Sequence, residues 1–390
     1  MSKEIMSQVS IKQRRATRLA FLAVGLAVSA WAPLVPYVKE RLGLGEAALG
    51  LLLLCMGCGS LILMPFTGNL TARFGSRAVI LCSGTLACLT LPCLAVAASP
   101  QLLGVTLFLF GAATGMLGMA SNITAVTLEQ KDGAVLMSGF HCLFSFGGFA
   151  GAASMTLLLK NGLSPLAASA AIALLVLLVL YMAGPHLLRD TRAPEPAAPP
   201  FMMPHGAVMF IGILCFCVFL AEGAMLDWGA VFLTGRHELD PGQSGLGYAA
   251  FSIAMTIGRL NGDRMVRRFG GERVLMLGGL CAAGGFFAAV LAPSAAGAVC
   301  GFMLIGIGAS NIVPILYSAA GRQSAMPATL AVGTITTIGF MGLLAGPAMI
   351  GFVAHATSLN LAFAALGCMM LLVAASARVG AASPKVASAI

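Results

Sequence analysis

Four ionisable side chains stand inside long apolar stretches of this sequence, away from their edges: His141, Glu222, Asp227 and Arg259. A charge held in hydrocarbon costs about 2.5–3.5 kcal/mol, so such groups face water, a partner or a ligand. Their chemistry is proton exchange and ion pairing. A carboxyl that alternates between dry and wet surroundings takes up and releases a proton, and an imidazole titrates near pH ~6.5. Glu222 lies sixteen residues past Gly206, about 24 Å along a helix that begins there. It is the first candidate for proton coupling; a fixed carboxyl that locks helix packing is the alternative. Asp227 follows five residues later, rotated by roughly 140° and therefore off the same face. Its alternative is a contact with Lys39 or Arg236. His141 is the third candidate, with a helix-bridging hydrogen bond as its alternative. Arg259, close to the inner end of its stretch, reads as a gate or structural contact, with a snorkelling side chain or a substrate-binding group as the alternatives.

Bond-breaking chemistry has no counterpart here. No nucleophile–His–acid set is apparent, and the phosphate loop G-x-x-x-x-G-K-S/T does not occur, so neither an enzyme nor a self-contained ATP-driven pump is expected. Cys55 and Cys58 lack a second ligand pair with metal spacing, so neither metal nor cofactor is expected.

The elements that must position these groups follow from hydropathy. The chain of 390 residues is 59% hydrophobic and 9% charged, where a soluble domain carries about 25% charged residues. Several charge-free runs approach the roughly 20 residues a helix needs to cross about 30 Å of hydrocarbon, and they lack the alternation of barrel strands. An all-α membrane protein of twelve transmembrane helices is expected. Its spans fall near 16–38, 46–69, 78–98, 101–127, 135–158, 164–184, 206–233, 244–265, 274–293, 295–319, 328–353 and 358–377. The net charge of +9 is spread over short loops instead of one face, which argues against a nucleic-acid partner. Of 22 Lys and Arg residues, only Lys39, Arg41, Lys160 and Arg236 fall on one side and Arg259 within a span. The remainder lie on the other side, which places both termini in the cytoplasm.

The chain also repeats itself. Leu70-Thr-Ala-Arg-Phe-Gly-Ser-Arg77 returns as Met265-Val-Arg-Arg-Phe-Gly-Gly-Glu272, and Trp31 corresponds to Trp228. Leu49-Gly50 returns as Leu246-Gly247, and Gly139, Phe146 and Gly148 as Gly333, Phe340 and Gly342. Two six-helix halves of equal direction are expected, 1–184 and 205–390, joined by a proline-rich cytoplasmic linker at 185–204.

These residues carry a family resemblance. Gly68-Asn-Leu-Thr-Ala-Arg-Phe-Gly-Ser-Arg77 is similar to the loop signature of the major facilitator superfamily, except that Ala72, and Arg267 in the second copy, replace its acid. In that family the acid ties the loop to a neighbouring helix end. Arg73, Arg77 and Arg268 remain able to meet helix C-terminal carbonyls, a conformational role whose alternative is topology control. Ala120-Ser-Asn122 resembles a motif of the fucose-permease-like branch, although Gly118 and Ala32 stand where that branch has its proton-binding acids. Gly346-Pro347 matches part of a drug-antiporter signature but lies in the wrong span. The resemblance implies the major facilitator fold and a cavity lined by the first, fourth, seventh and tenth spans. On those spans Trp31, Asn122, Trp228 and Asn311 are the candidates to meet a polar, sugar-like solute, with interhelical bonding or interface anchoring as their alternatives. The expected protein is a secondary transporter working by alternating access, either proton-coupled or facilitative, monomeric, and integral to a bacterial inner membrane. A transport-fold sensor or assembly protein is the alternative.

Overall fold

The structure is a computed structural model that describes residues 11–44, 46–189, 206–237, 246–324 and 326–381. Most of the expected linker therefore lies outside the described residues. Fifteen helices follow one another and no strand occurs among the described residues. They are α1 (Ile11–Ser29), α2 (Val35–Leu42), α3 (Glu46–Phe74), α4 (Ser76–Val96), α5 (Pro100–Asp132), α6 (Met137–Lys160), α7 (Pro165–Ala183) and α8 (Gly206–His237). Then come α9 (Leu246–Phe269), α10 (Gly271–Leu291), α11 (Ala295–Ala309), α12 (Ile312–Arg322), α13 (Ala328–Ala356), α14 (Leu359–Ala375) and α15 (Ala377–Gly380). Ten of the helical segments are long and apolar enough to cross a membrane. Outside those ten, α14 has 17 residues, and α9 carries Arg259, Asp263, Arg264, Arg267 and Arg268. Large apolar side chains face outward, among them Phe149 (71% exposed) and Phe352 (76%), as hydrocarbon permits and water does not.

Fourteen helices build twelve spans because the first and tenth spans are each broken in two. Proline accounts for both breaks. Its nitrogen carries no proton, and its ring crowds the carbonyl four residues earlier. Pro33 thereby ends α1 at Ser29, and a single 3-10 turn, Ala32–Leu34, leads into α2. Pro314 acts in the same way on Ser310, and α11 gives way to α12 across Ser310 and Asn311. Pro65 and Pro92 sit within α3 and α4 without interrupting them.

The helix ends repeat as the sequence does. Gly75 and Gly270 open α4 and α10 at φ +83° and +82°, a conformation that favours glycine. Ser99 and Ser294 cap α5 and α11 by accepting from Leu102 N–H and Gly297 N–H. Ser164 and Ser358 do the same for α7 and α14. A hydroxyl at this position satisfies one of the orphan donors of the first turn.

Among the described residues, those within 11–134 and 140–189 form one packing unit, and those within 135–139 and 206–381 form another. The first unit buries Ile80, Leu91, Leu107, Phe110 and Leu117 between α1, α4, α5 and α7. The second buries an aromatic cluster in which Phe232 stacks on Phe363 at 4.6 Å, with Phe286 and Phe302 around them.

Candidate functional site

Within the second unit, α9 presents Gly258, Arg259 and Gly262 to the break in the tenth span. Side chains at either glycine would collide with Ser310 or Asn311, so the absence of Cβ atoms lets the α9 backbone touch the break itself. Asn311 Nδ2 donates to the Gly258 carbonyl at 3.1 Å and to Ser310 Oγ at 3.0 Å. Its Oδ1 is buried without a hydrogen-bond partner. Arg259 is 5% exposed. Its Nε donates to the Ser310 carbonyl at 3.2 Å, and its Nη2 lies 3.5 Å from Glu222 Oε1 on α8. Ser310 is the residue whose carbonyl Pro314 leaves without its usual amide donor, so a guanidinium takes that place. Cys215, Tyr248 and Tyr317 lie within electrostatic reach of Glu222.

The other candidates on α8 diverge from this cluster. Asp227 points to an exposed position, as its rotation from Glu222 requires. Trp228 is half-buried and packs toward Gly351 of α13, with a buried indole N–H that has no acceptor.

The first unit holds a neutral counterpart. Asn122 Nδ2 donates to the Gly118 carbonyl at 3.0 Å, leaving Oδ1 as acceptor for His141 Nε2 at 3.1 Å. That arrangement makes Nε2 the protonated nitrogen. The His141 ring lies 5.3 Å from Phe21, which stacks on Phe140. In the second unit, 195 positions later, Tyr317 and Thr336 form the matching bond, Oη to Oγ1 at 2.8 Å. The same shift takes Arg259 to Met64 and Asn311 to Met116, so the charged cluster has no counterpart in the first unit. Trp31 is 5% exposed, and its indole N–H also lacks an acceptor.

The candidate arginines of the repeated loop sit outside these clusters. Arg73 lies over the Phe74 ring at 5.2 Å and Arg268 over Phe269 at 5.3 Å, the same contact in each copy. Arg77 donates its backbone N–H to the Leu188 carbonyl.

Sequence reasoning passed over Asp263. In the second unit its two carboxylate oxygens accept the backbone N–H groups of Ser138 and Gly139 at 2.9 and 3.0 Å. Arg267 donates to the Val135 carbonyl at 3.3 Å. A carboxylate on the first amides of a helix satisfies orphan donors and complements the dipole. The available signal was an acid one turn before the position where the family signature has its own. Ser310 was also missed, although a proline four residues on pointed to it.

The family model described as Major Facilitator Superfamily matches residues 19–329. An uncharacterised MFS-type transporter of Yersinia pestis is 53% identical over 371 residues, covering 95% of this chain and 96% of the relative. The membrane protein MosC of Rhizobium meliloti is 31% identical over 345 residues, covering 88% and 84%. Among solved structures, the Escherichia coli fucose:proton symporter FucP matches with a TM-score of 0.77 at 16% identity, over 96% of this chain and all of that one. The human organic anion transporter MFSD10 matches at 0.76 and 16%, over 94% and 99%. At such identities the likeness is one of fold.

Proposed function

From the premise that this chain belongs to the major facilitator superfamily, and is therefore a secondary transporter and not an enzyme, we propose that it moves a polar, uncharged solute in company with protons, with Glu222 as the coupling carboxylate. The observation that carries this reading is the Glu222–Arg259 pair, in which a buried Arg259 meets a half-buried Glu222 among apolar helices and is tied to the broken tenth span. When the pair is ionised its charges offset one another. Protonation of Glu222 leaves Arg259 as an uncompensated cation, and a change of access to water shifts the balance between these states. The amides of Asn122 and Asn311 and the indole N–H groups of Trp31 and Trp228 are hydrogen-bonding groups suited to a hydroxylated solute. The name of the fucose:proton symporter fits such a substrate class. Asp227 and His141 are the alternative proton carriers. We place the chain, as a monomer, in a bacterial inner membrane, in keeping with its bacterial relatives.

The test begins with a thermal-shift screen of the purified protein against sugars, polyols, amino acids and organic acids. The stabilising solute is then followed into proteoliposomes under an imposed pH gradient. Glu222→Gln is expected to abolish gradient-driven accumulation and to leave solute exchange measurable. Full accumulation by that variant moves the role to Asp227 or His141, or to another ion.

A further inference from the structure

We infer that Arg259 is a positioning residue that transmits the protonation state of Glu222 to a hinge in the tenth span at Ser310 and Asn311. The inference rests on the reading of Glu222 as the coupling carboxylate and adds the mechanical link which that reading lacks.

The hinge is written in the chain by Pro314. With no amide proton on Pro314, the Ser310 carbonyl loses the donor that would continue the helix. Below the break, Ile315 N–H bonds the Asn311 carbonyl and the helix resumes. The donor that reaches Ser310 comes from another helix, through Arg259 Nε at 3.2 Å. The same guanidinium faces Glu222 across 3.5 Å. A guanidinium is a rigid planar fork, so two donors on one plane serve two partners on two helices. A shift toward either partner moves it relative to the other. Since Arg259 is 5% exposed, its charge is not readily relieved by water.

Ionised Glu222 draws the fork toward α8. Once Glu222 is protonated the charge-assisted attraction is lost, and the Ser310 carbonyl becomes the acceptor that competes best for the fork. The α9 backbone holds the fork in register with the break, because Gly258 and Gly262 admit Ser310 and Asn311 against it. Below the hinge, α12 is held to α13 by the Tyr317–Thr336 bond.

Tyr248 on α9, Tyr317 on α12 and Cys215 on α8 are within electrostatic reach of Glu222. The same helices also carry Cys217 and Asp227 on α8, Asp263, Arg264, Arg267 and Arg268 on α9, and Arg322 on α12. Of the remaining helices packed against α8, α13 carries only His355, in its last turn, α11 only Cys300, α14 only Cys368 and α15 only Arg378. Arg259 is the cation of this set that contacts Glu222.

Hydrogen exchange of the full chain in lipid nanodiscs, without any solute, tests the link. Peptides covering 306–318 are compared at acid and mildly alkaline pH after correction for chemical exchange. Wild type is expected to differ between the two by at least about fivefold, the low end of coupling between linked sites. Glu222→Gln should show the acid pattern at both. Pro314→Ala, which restores an amide donor to Ser310, and Arg259→Lys, which lacks the fork, should each remove the response. If Arg259→Lys fails to fold, Pro314→Ala decides. A wild-type response retained in the folded variants overturns the transmission while leaving Glu222 as the proton carrier. The same response retained in Glu222→Gln overturns the reading of Glu222 itself. A wild type without any response also overturns the transmission, and gradient-driven accumulation then judges Glu222 separately.

Discussion

Glu222 and Arg259 are 37 residues apart, and each is conspicuous alone as a charge in an apolar stretch. Their pairing was not legible. Depth along one helix follows from counting residues, but the rotation of one helix against another follows from packing, which hydropathy does not encode. Arg259 is accordingly in the interior of its unit, facing Glu222, although its place in the sequence invited a contact nearer the membrane edge. Removing one member of a buried pair leaves the other charge uncompensated, at a cost of about 3–5 kcal/mol. At an alkaline pH that keeps Glu222 ionised, Arg259→Met is thus expected to lower the stability of the purified protein sharply, and less so at acid pH, where Glu222 takes up a proton. The double variant with Glu222→Gln should recover much of that loss, as measured by thermal unfolding in detergent. Equal loss in both would mean that the guanidinium matters for its bonds to Ser310 and not for its charge. The Asn122–His141 bond is a milder case. Interhelical hydrogen bonds in membranes average about 0.6 kcal/mol, so His141→Leu should cost little stability, and a large loss would contradict a simple clasp.

Helix existence was legible almost throughout, because a charge-free run of span length admits few other structures. The caps were not read, although Ser99-Pro100 and Ser164-Pro165 both pair a capping hydroxyl with a proline suited to the first turn. The breaks at Ser29 and Ser310 were not foreseen, since hydropathy runs unbroken across them. Pro33 and Pro314 held that information, but Pro65 and Pro92 lie in continuous helices, so proline by itself does not decide. The carboxylate of Asp263 on Ser138 and Gly139 is a tertiary contact between distant segments. Caps of this kind are worth about 0.5–2 kcal/mol. Asp263→Asn is expected to speed amide exchange at residues 138–141 selectively, with the remainder of α6 unchanged; unaltered exchange there would show that Arg267 suffices to hold the segment.

At the scale of the whole chain, the distribution of Lys and Arg leads us to propose that both termini and the 185–204 linker are cytoplasmic. Reporter fusions at the three positions should all give the cytoplasmic signal, and a periplasmic linker would end the two-half description of the sequence. The two units share cap positions and loop conformations, yet the buried Arg259 and its carboxylate partner Glu222 belong to the second. That asymmetry has a consequence for biogenesis. As a nascent span, α9 offers the translocon a helix with Arg259 and Asp263 in it and a basic end, and each such residue near a span centre costs about 2.5–3.5 kcal/mol. Expressed by itself, α9 should enter the bilayer in only a minority of chains in a glycosylation-mapped insertion assay. Preceded by α8 it should enter far more often, because Glu222 is already waiting in the membrane as the partner of Arg259. The contact that joins α8 to α9 in the finished transporter thus begins as a chaperone for its own least apolar helix.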